Sequence, residues 1–403
     1  MKNKIPGVKL VLLLLCFCTF ILYAMYFNGF GANAQATMGF FRIDEAQNGM
    51  IMTIQSIGCI VVTIILGLFG ERLNKINGIV FGLCFMGLAG ICIGLLPAIG
   101  GGYLMMLIFS LIAGVGFITI DLLMNSVVAD VFPDKKEILL PYVHAFYGAG
   151  AMLAPVFITA LVDPAAPATF ARPYLLIGVF AVLVCVVLFF VGKRVAPMTP
   201  YADMTVIRNR ARSNPAEIFR DPKAWLFLLS CFLYLIFQTG ITTWLPTYCT
   251  EVMEYGFTAS GLMVTVYFLG ALVMRFLSPL IYKKLGVRRF YMLSLLVSAV
   301  VFLVFLLLPM PDAAAVVLIG VVGLLQGASV PSLVILCCDT FPTRTASASS
   351  VVVLGVSLAA MVAPPVMGFI MEAFGYLPAM LIITACLIFS VILLPREKLF
   401  KAK

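Results

Sequence analysis

The sequence predicts an all-α, polytopic membrane protein, and two observations support this fold class. First, 63% of its 403 residues are hydrophobic and 11% are charged, with a mean hydropathy of +1.14, whereas soluble domains are about 45–50% apolar and about 25% charged. Second, the apolar residues form runs of about 20 or more, which is the length a helix needs to cross a bilayer. Strands of a membrane barrel are about ten residues long, so the runs exclude a barrel.

Twelve such runs follow one another, six before and six after one hydrophilic stretch. They cover residues 8–31, 46–69, 77–97, 102–129, 141–162, 171–192, 224–249, 258–282, 289–309, 313–338, 345–370 and 375–395. The hydrophilic stretch is predicted to be a linker with a short amphipathic helix after Ser213-Asn214-Pro215, and a regulatory site is the alternative. We therefore predict a six-helix bundle over 1–192, the linker over 193–223, and a second six-helix bundle over 224–403.

Basic residues are distributed unevenly between alternate loops. With a cytoplasmic N-terminus, the loops on that side carry 23 of the 26 basic residues, and the outer loops carry only Arg42 and Arg172. Because cytoplasmic loops are enriched in Lys and Arg, we predict a multi-pass protein of the cytoplasmic (plasma) membrane with both termini cytoplasmic. The net charge of +9 is therefore a topology signal and does not indicate binding to nucleic acid.

The two halves of the chain share short sequence elements at one offset. Asp130-Val131-Phe132-Pro133 recurs as Asp339-Thr340-Phe341-Pro342, 209 residues later, and Ala154-Pro155 recurs as Ala363-Pro364 at the same offset. Six spans return the chain to its starting side, so the halves are parallel repeats.

The loops after spans 2 and 8 contain a second pair of similar sequence segments. The first copy is Gly67-Leu68-Phe69-Gly70-Glu71-Arg72, and the second runs from Pro279 to Arg289. Both resemble the motif G-x-x-x-D-R-x-G-x-R-R of the major facilitator superfamily, with Glu71 and Lys283 in place of the Asp. The resemblance covers essentially the whole chain and implies two pseudo-symmetric six-helix bundles that work by alternating access. It also implies structural or gating roles for Glu71, Arg72, Lys283 and Arg288.

A narrower resemblance rests on spans 4, 5 and 7. These contain Asp121-x-x-x-Asn125, the segment from His144 to Ala151, and Tyr234-x-x-x-Gln238. They are similar to the branch that contains the fucose:proton symporter and the sodium-dependent glucose transporter, in which an acidic residue lies one turn before an Asn in span 4. The fucose symporter has a second carboxylate in span 1, where this chain has Gly31, so a two-carboxylate coupling scheme is not carried over.

Asp121 is the only acidic residue predicted deep within a span. An ionised carboxylate there is costly unless it faces a cavity or a partner, so Asp121 is the predicted proton-coupling residue. His144, the sole histidine, is predicted at a similar depth of the hairpin formed by spans 4 and 5, where it binds substrate or assists Asp121. Purely structural roles are the alternative for both residues.

Neutral polar and aromatic side chains supply the remaining predicted substrate contacts, because amide, hydroxyl and ring groups suit a polyhydroxylated ligand. They are Asn28, Asn125 and Tyr147 in the first half and Tyr234, Gln238, Thr242, Tyr267 and Gln326 in the second. Arg275 is the one basic residue inside a span, and we expect it to form a structural pair with Asp339. Direct binding of an anionic substrate is the alternative for Arg275.

The predicted function is secondary active transport of a small neutral, sugar-like solute by proton-coupled symport. The alternatives are a drug or metabolite exporter working as a proton antiporter, and a sodium-coupled sugar symporter, because Asp121 and Asn125 also suit a hard cation. An enzyme is not expected, since one Asp and one His supply no metal set or catalytic pair. We expect no cofactor, no bound metal, a small-molecule substrate, a surrounding lipid bilayer and a monomer.

Overall fold

The fold consists of α-helices joined by short turns. The computed structural model describes residues 7–43, 45–163, 165–198, 217–255 and 257–395, and no strand occurs among them. The first seven helices are α1 (Gly7–Asn28), α2 (Phe30–Phe41), α3 (Glu45–Phe69), α4 (Lys75–Ile99), α5 (Tyr103–Val131), α6 (Lys136–Leu161) and α7 (Ala171–Val195). The others are α8 (Glu217–Arg220), α9 (Pro222–Glu251), α10 (Phe257–Leu285), α11 (Val287–Leu307), α12 (Asp312–Gln326), α13 (Ser329–Thr340), α14 (Thr345–Phe374) and α15 (Tyr376–Leu393).

These helices confirm the predicted all-α polytopic fold. Within the described residues, 11 helical segments are long and apolar enough to cross a membrane. The helix α6, with 26 residues, lies at the position of the fifth predicted span and carries His144 and Tyr147. It completes the set of twelve predicted positions.

The chain divides into two compact units. The first contains Met1–Pro215 together with Thr343–Ser350, and the second contains Ala216–Pro342 and Val351–Lys403. The first six residues of α14 therefore belong to the first unit, and the rest of that helix belongs to the second. The predicted boundaries at 192 and 224 stay predictions, and the helix-start signal at Ser213-Asn214-Pro215 lies outside the described residues.

Within the first unit, α4 and α5 pack backbone against backbone. A Cβ atom placed on Gly116 would lie 2.7 Å from the carbonyl oxygen of Gly82 and 2.7 Å from the amide nitrogen of Met86. Such distances leave no room for a side chain, which is why small residues line close helix contacts in membranes. The contact fixes the position of α5, the helix that carries Asp121 and Asn125.

The first predicted span, 8–31, corresponds to α1, which ends at Asn28, and a second helix follows it directly. After Gly29 the chain continues as α2 to Phe41. Inside this extension Asn33 donates from Nδ2 to the carbonyl oxygen of Phe170 at 2.8 Å, and the hydroxyl of Thr37 donates to the carbonyl oxygen of Asn33 at 2.9 Å. These buried hydrogen bonds satisfy the Asn33 amide nitrogen and the Thr37 hydroxyl, two polar groups that, in the sequence, favour the end of a span.

The tenth predicted span, 313–338, is two helices in the second unit. The helix α12 ends at Gln326 and α13 begins at Ser329. Side chains from α9 and α10 bind the carbonyl oxygens at this break: the Tyr234 hydroxyl donates to Gln326 O at 3.2 Å, and Arg275 Nε donates to Gly327 O at 3.0 Å. Because a buried carbonyl needs a partner, these contacts allow the helix to break inside an apolar segment.

Candidate functional site

Two helices of the first unit, α5 and α6, bring three polar side chains together. Asn125 donates from Nδ2 to the backbone carbonyl oxygen of Asp121 at 2.8 Å, and its Oδ1 lies 3.0 Å from His144 Nε2. Asn125 is buried, whereas Asp121 and His144 are partly exposed. The three polar residues predicted for spans 4 and 5 therefore form one cluster with an accessible edge.

The hydrogen bonds of Asn125 define where the protons lie in this cluster. A backbone carbonyl can only accept, so the amide atom that faces the Asp121 carbonyl is the nitrogen, and the amide oxygen faces His144. An amide oxygen also can only accept, and His144 Nε2 must therefore carry a proton. Asn125 thus holds His144 as a hydrogen-bond donor at Nε2.

Aromatic rings and one further amide lie beside this cluster. Asn28 donates from Nδ2 to the Tyr147 hydroxyl at 3.1 Å, one helical turn beyond His144 on α6. The ring centroid of Tyr23 is 5.2 Å from that of Tyr147, and that of Phe20 is 5.8 Å from that of His144. Because Asn28 is exposed and Tyr147 is partly exposed, this surface offers both ring faces and hydrogen-bonding groups to a ligand.

The predicted substrate residues of the second unit fall into two groups. One group is buried and consists of Tyr234, Tyr267 and Gln326. In that group the Tyr267 hydroxyl donates to Gln326 Oε1 at 2.9 Å, and Gln326 Nε2 donates to Ser298 Oγ at 2.7 Å. The other group, Gln238 and Thr242, is partly exposed and lies four residues apart on α9, so its members share one helix face. In the described structure, the hydrogen bonds of the buried group link neighbouring helices.

A buried charged cluster lies at one end of the first unit. Lys75 Nζ lies 2.9 Å from Glu71 Oε2 and 2.9 Å from Asp130 Oδ2, and it donates to Thr345 Oγ1 at 2.6 Å. The Thr345 hydroxyl in turn donates to Asp130 Oδ1 at 2.9 Å. All four residues are buried, so the two ion pairs of Lys75 offset part of the cost of burying these charges.

Glu71 also caps the first turn of α14. Its Oε1 accepts the backbone N–H groups of Ala346 at 2.6 Å and Ser347 at 3.3 Å. These are among the N–H groups at a helix start that have no partner within the helix, and a carboxylate also suits the positive end of the helix dipole. One side chain therefore joins the loop after α3 to the start of α14.

The sequence reasoning missed three members of this cluster, Lys75, Asp130 and Thr345. Two signals were present: Lys75 follows Glu71 by four residues, and Asp130 begins the element that recurs as Asp339 to Pro342. In the sequence, Lys75 is one of the 23 basic loop residues that predict the topology. No local pattern in the sequence relates Thr345, more than 200 residues away, to either residue.

The other residues predicted for gating have different surroundings. Arg72 is exposed, with its guanidinium 5.3 Å from the centre of the Phe69 ring. Arg288 donates from Nη2 to Pro395 O at 2.6 Å, and Lys283 and Asp339 are exposed. Within the parts of the chain that the structure describes, no three His, Cys, Asp or Glu residues are grouped as a metal site.

A polar site within bundles of membrane-crossing helices is typical of a membrane transporter. Comparison with known families agrees: residues 15–321 and 255–401 match the Major Facilitator Superfamily. The chain belongs to this superfamily, and the resemblance predicted from its loops is confirmed. Membership implies a small-molecule substrate and a surrounding bilayer.

Similar proteins share this fold at low sequence identity. The chain is 23% identical over 295 residues to "Bypass of stop codon protein 6" of Saccharomyces cerevisiae, a match that covers 68% of this chain and 57% of that protein. The E. coli fucose:proton symporter FucP is 18% identical, with a TM-score of 0.80 over 96% of this chain and 98% of its own. A bacterial homologue of the iron transporter ferroportin is 16% identical, with a TM-score of 0.72 over 95% and 98%. At such identities the likeness shows the fold alone.

Proposed function

We propose that the protein is a proton-coupled symporter of a small, neutral, polar solute with sugar-like hydroxyl groups. The observation that carries the proposal is the cluster of Asp121, Asn125 and His144, which combines a carboxylate within a span, a fixed N–H donor and an accessible edge. The likeness to a fucose:proton symporter supports the same substrate class.

In this proposal Asp121 takes up and releases the coupled proton. An ionised carboxylate inside a bilayer costs several kcal/mol unless it is solvated or paired, so reorientation is favoured when Asp121 is neutral. His144 provides a hydrogen-bond donor to substrate hydroxyl groups or stays bound to Asn125. Asn28, Tyr147, Gln238 and Thr242 supply further hydrogen bonds, and aromatic faces stack against the ligand.

The buried charged cluster is proposed to act as a gate. Glu71 and Lys75 hold the first turn of α14 through Ala346 and Thr345, and an alternating-access cycle requires contacts that form in one state and break in another. The capping bonds and ion pairs of this cluster are suited to that role because they join segments that are distant in sequence. Release would expose charged groups to water, which solvates them.

The test is uptake by proteoliposomes that contain purified protein. Asp121→Asn should abolish accumulation driven by a proton gradient and should spare exchange of labelled for unlabelled solute, because the neutral side chain mimics the protonated state. Asp134→Asn, which changes an exposed carboxylate in the turn between α5 and α6, is the matched control and should behave as wild type. Proton-driven accumulation by Asp121→Asn would refute the coupling role.

The same assay separates the alternatives. Accumulation driven by a sodium gradient at constant pH would favour a sodium symporter, although Asn125 Oδ1 already accepts a hydrogen bond from His144. Solute expulsion against its gradient, with lipophilic cations as the preferred solutes, would favour an exporter. A panel of sugars, amino acids, carboxylates and drugs identifies the substrate class.

We also propose that the protein lies in the cytoplasmic membrane as a monomer, with both termini on the cytoplasmic side. The distribution of 23 basic residues to one set of loops and two to the other supports this orientation.

A further inference from the structure

An apolar groove lies on the outside of the second unit, between α10 and α12. It has a volume of about 330 Å³, and its lining includes Val266, Leu269, Val273, Val317, Val321 and Leu324. Val317 is 66% exposed and Leu269 is 47% exposed. In a membrane-spanning helix pair, such side chains face lipid rather than water.

Two glycines, Gly270 and Gly320, are also part of the groove. A Cβ atom on Gly270 would clash with the carbonyl oxygen of Gly320, so the two helices touch at that point. A Cβ atom on Gly320 would meet only Val266, at 3.8 Å. There is therefore space at Gly320 that a ligand or a larger side chain can fill.

The face of α10 that lines the groove continues as a stripe to the end of the helix. Val273, Leu277, Leu280 and Lys284 follow one another at steps of three or four residues, so they lie on one face. All four are exposed. Val273 and Lys284 are 11 residues apart, which is about 16 Å at 1.5 Å per residue and about half of a 30 Å hydrocarbon core. The chain of a lipid whose head group lies at Lys284 would thus end in the groove.

Charge distinguishes the two ends of this stripe. Lys283, Lys284 and Arg289 are exposed, and none of them has an ion pair or side-chain hydrogen bond with another described residue. The segment before the other end of α10 carries two exposed carboxylates, Glu251 and Glu254. An anionic head group is therefore attracted to the Lys284 end and repelled from the other.

We propose that this groove and stripe form a binding site for one anionic phospholipid, with the head group at Lys283 and Lys284 and the end of an acyl chain at Gly320. The site needs both parts: the lysines select the charge, and the groove selects a chain long enough to reach it. It does not depend on which solute the protein carries.

Native mass spectrometry of the purified full-length protein tests this site, with lipids added in defined amounts. The probes are palmitoyl-oleoyl phosphatidylglycerol, phosphatidylcholine with the same chains, and dioctanoyl phosphatidylglycerol. Wild type should retain the long-chain anionic lipid in preference to both others. Lys284→Gln should reduce retention of both phosphatidylglycerols about fivefold, which corresponds to one lysine near an anionic surface.

Gly320→Leu should remove the preference for the long chain over the short one and leave retention of the short-chain lipid unchanged. The matched controls are Lys223→Gln and Gly49→Leu, which change an exposed lysine and an exposed glycine away from the groove, and both should behave as wild type. Val321→Phe provides a second groove-filling variant if Gly320→Leu unfolds at a lower temperature. The proposal is overturned if both groove variants keep the wild-type preference for the long-chain lipid. It is also overturned if Lys284→Gln and Lys223→Gln lose the same amount of bound phosphatidylglycerol.

Discussion

At the scale of single residues, Asn125 determines how the candidate site is arranged. It accepts from His144 and donates to the Asp121 carbonyl, and it is buried, so its removal takes a hydrogen bond from each of these groups. Asn125→Leu should lower the free energy of unfolding by about 1–3 kcal/mol and raise the KM for solute, because His144 loses its fixed orientation. Thermal unfolding and uptake kinetics measure the two effects.

A control for this prediction is Ser126→Ala, on the neighbouring position of α5, where the hydroxyl donates to the backbone oxygen of Leu122 at 3.1 Å or to Ser349 Oγ at 3.3 Å and does not contact His144 or Asp121. We expect a smaller loss of stability and an unchanged KM. If Asn125→Leu and Ser126→Ala have the same KM, then Asn125 does not position the site.

The sequence carried enough information to find Asp121, Asn125 and His144, because charge inside a span and spacing about a tight turn are local signals. It did not carry the direction of their hydrogen bonds, which depends on side-chain rotamers and on the packing of α5 against α6. Lys75 was missed for a related reason: a lysine beside a loop is normally solvated, and only the folded chain places Asp130 and Thr345 around it.

At the scale of elements, the charged cluster at the start of α14 makes a prediction about stability. Lys75→Met should lower the free energy of unfolding by about 3–5 kcal/mol, because it removes the ammonium group that both buried carboxylates contact. Adding Glu71→Gln and Asp130→Asn to the same chain should restore much of that loss, since amides can still hydrogen-bond but carry no charge. Thermal unfolding of the single and triple variants provides the measurement.

If the triple variant is no more stable than Lys75→Met, uncompensated charge is not the cause of the loss. If the cluster is also a gate, the triple variant should transport at an altered rate even where its stability has returned, because the contacts that hold α14 are weaker. Exchange rates in proteoliposomes report this second effect independently of stability.

The contact between α10 and α12 provides a second test at this scale. A Cβ atom on Gly323 would clash with the carbonyl oxygen of Tyr267, whereas one on Gly320 would meet nothing closer than 3.8 Å. Gly323→Ala should therefore force the helices apart and lower the unfolding temperature, and Gly320→Ala on the same helix should leave it unchanged. Equal unfolding temperatures for the two variants would contradict the close packing described above.

The residues at which helices end were harder to predict from the sequence than the existence of the helices. The run 313–338 is apolar throughout, yet the helix breaks after Gln326 because Tyr234 and Arg275 bind the carbonyl oxygens there. Those partners lie on two other helices. A pattern read along one segment cannot reveal them, and the expected pairing of Arg275 with Asp339 stays a prediction.

At the scale of the whole molecule, the distribution of basic residues predicts the topology. An epitope tag inserted at Ala165, in the exposed turn between α6 and α7, should be accessible to antibody on intact cells. The same tag at Asp134, in the turn between α5 and α6, should become accessible only after the membrane is permeabilised. The opposite pattern would reverse the proposed orientation of both termini.

The overall fold was the most predictable property, because it depends on composition, run length and repeat offset, which are sums over many residues. The twelve apolar runs and the offset of 209 residues between the two halves would still be recognisable after the substitution of any single residue. The fold alone does not determine which solute is carried. FucP and a ferroportin homologue share this architecture, so a few side chains, rather than the helix bundle, select the solute.

The arrangement around Asn125 has a further consequence for the movement of protons. An amide relays a proton from one face to the other only through an unfavourable imidic acid form, and Asn125 bonds the backbone carbonyl of Asp121 rather than its carboxylate. A proton on His144 therefore has no path through Asn125 to the carboxylate that is proposed to carry the coupled proton.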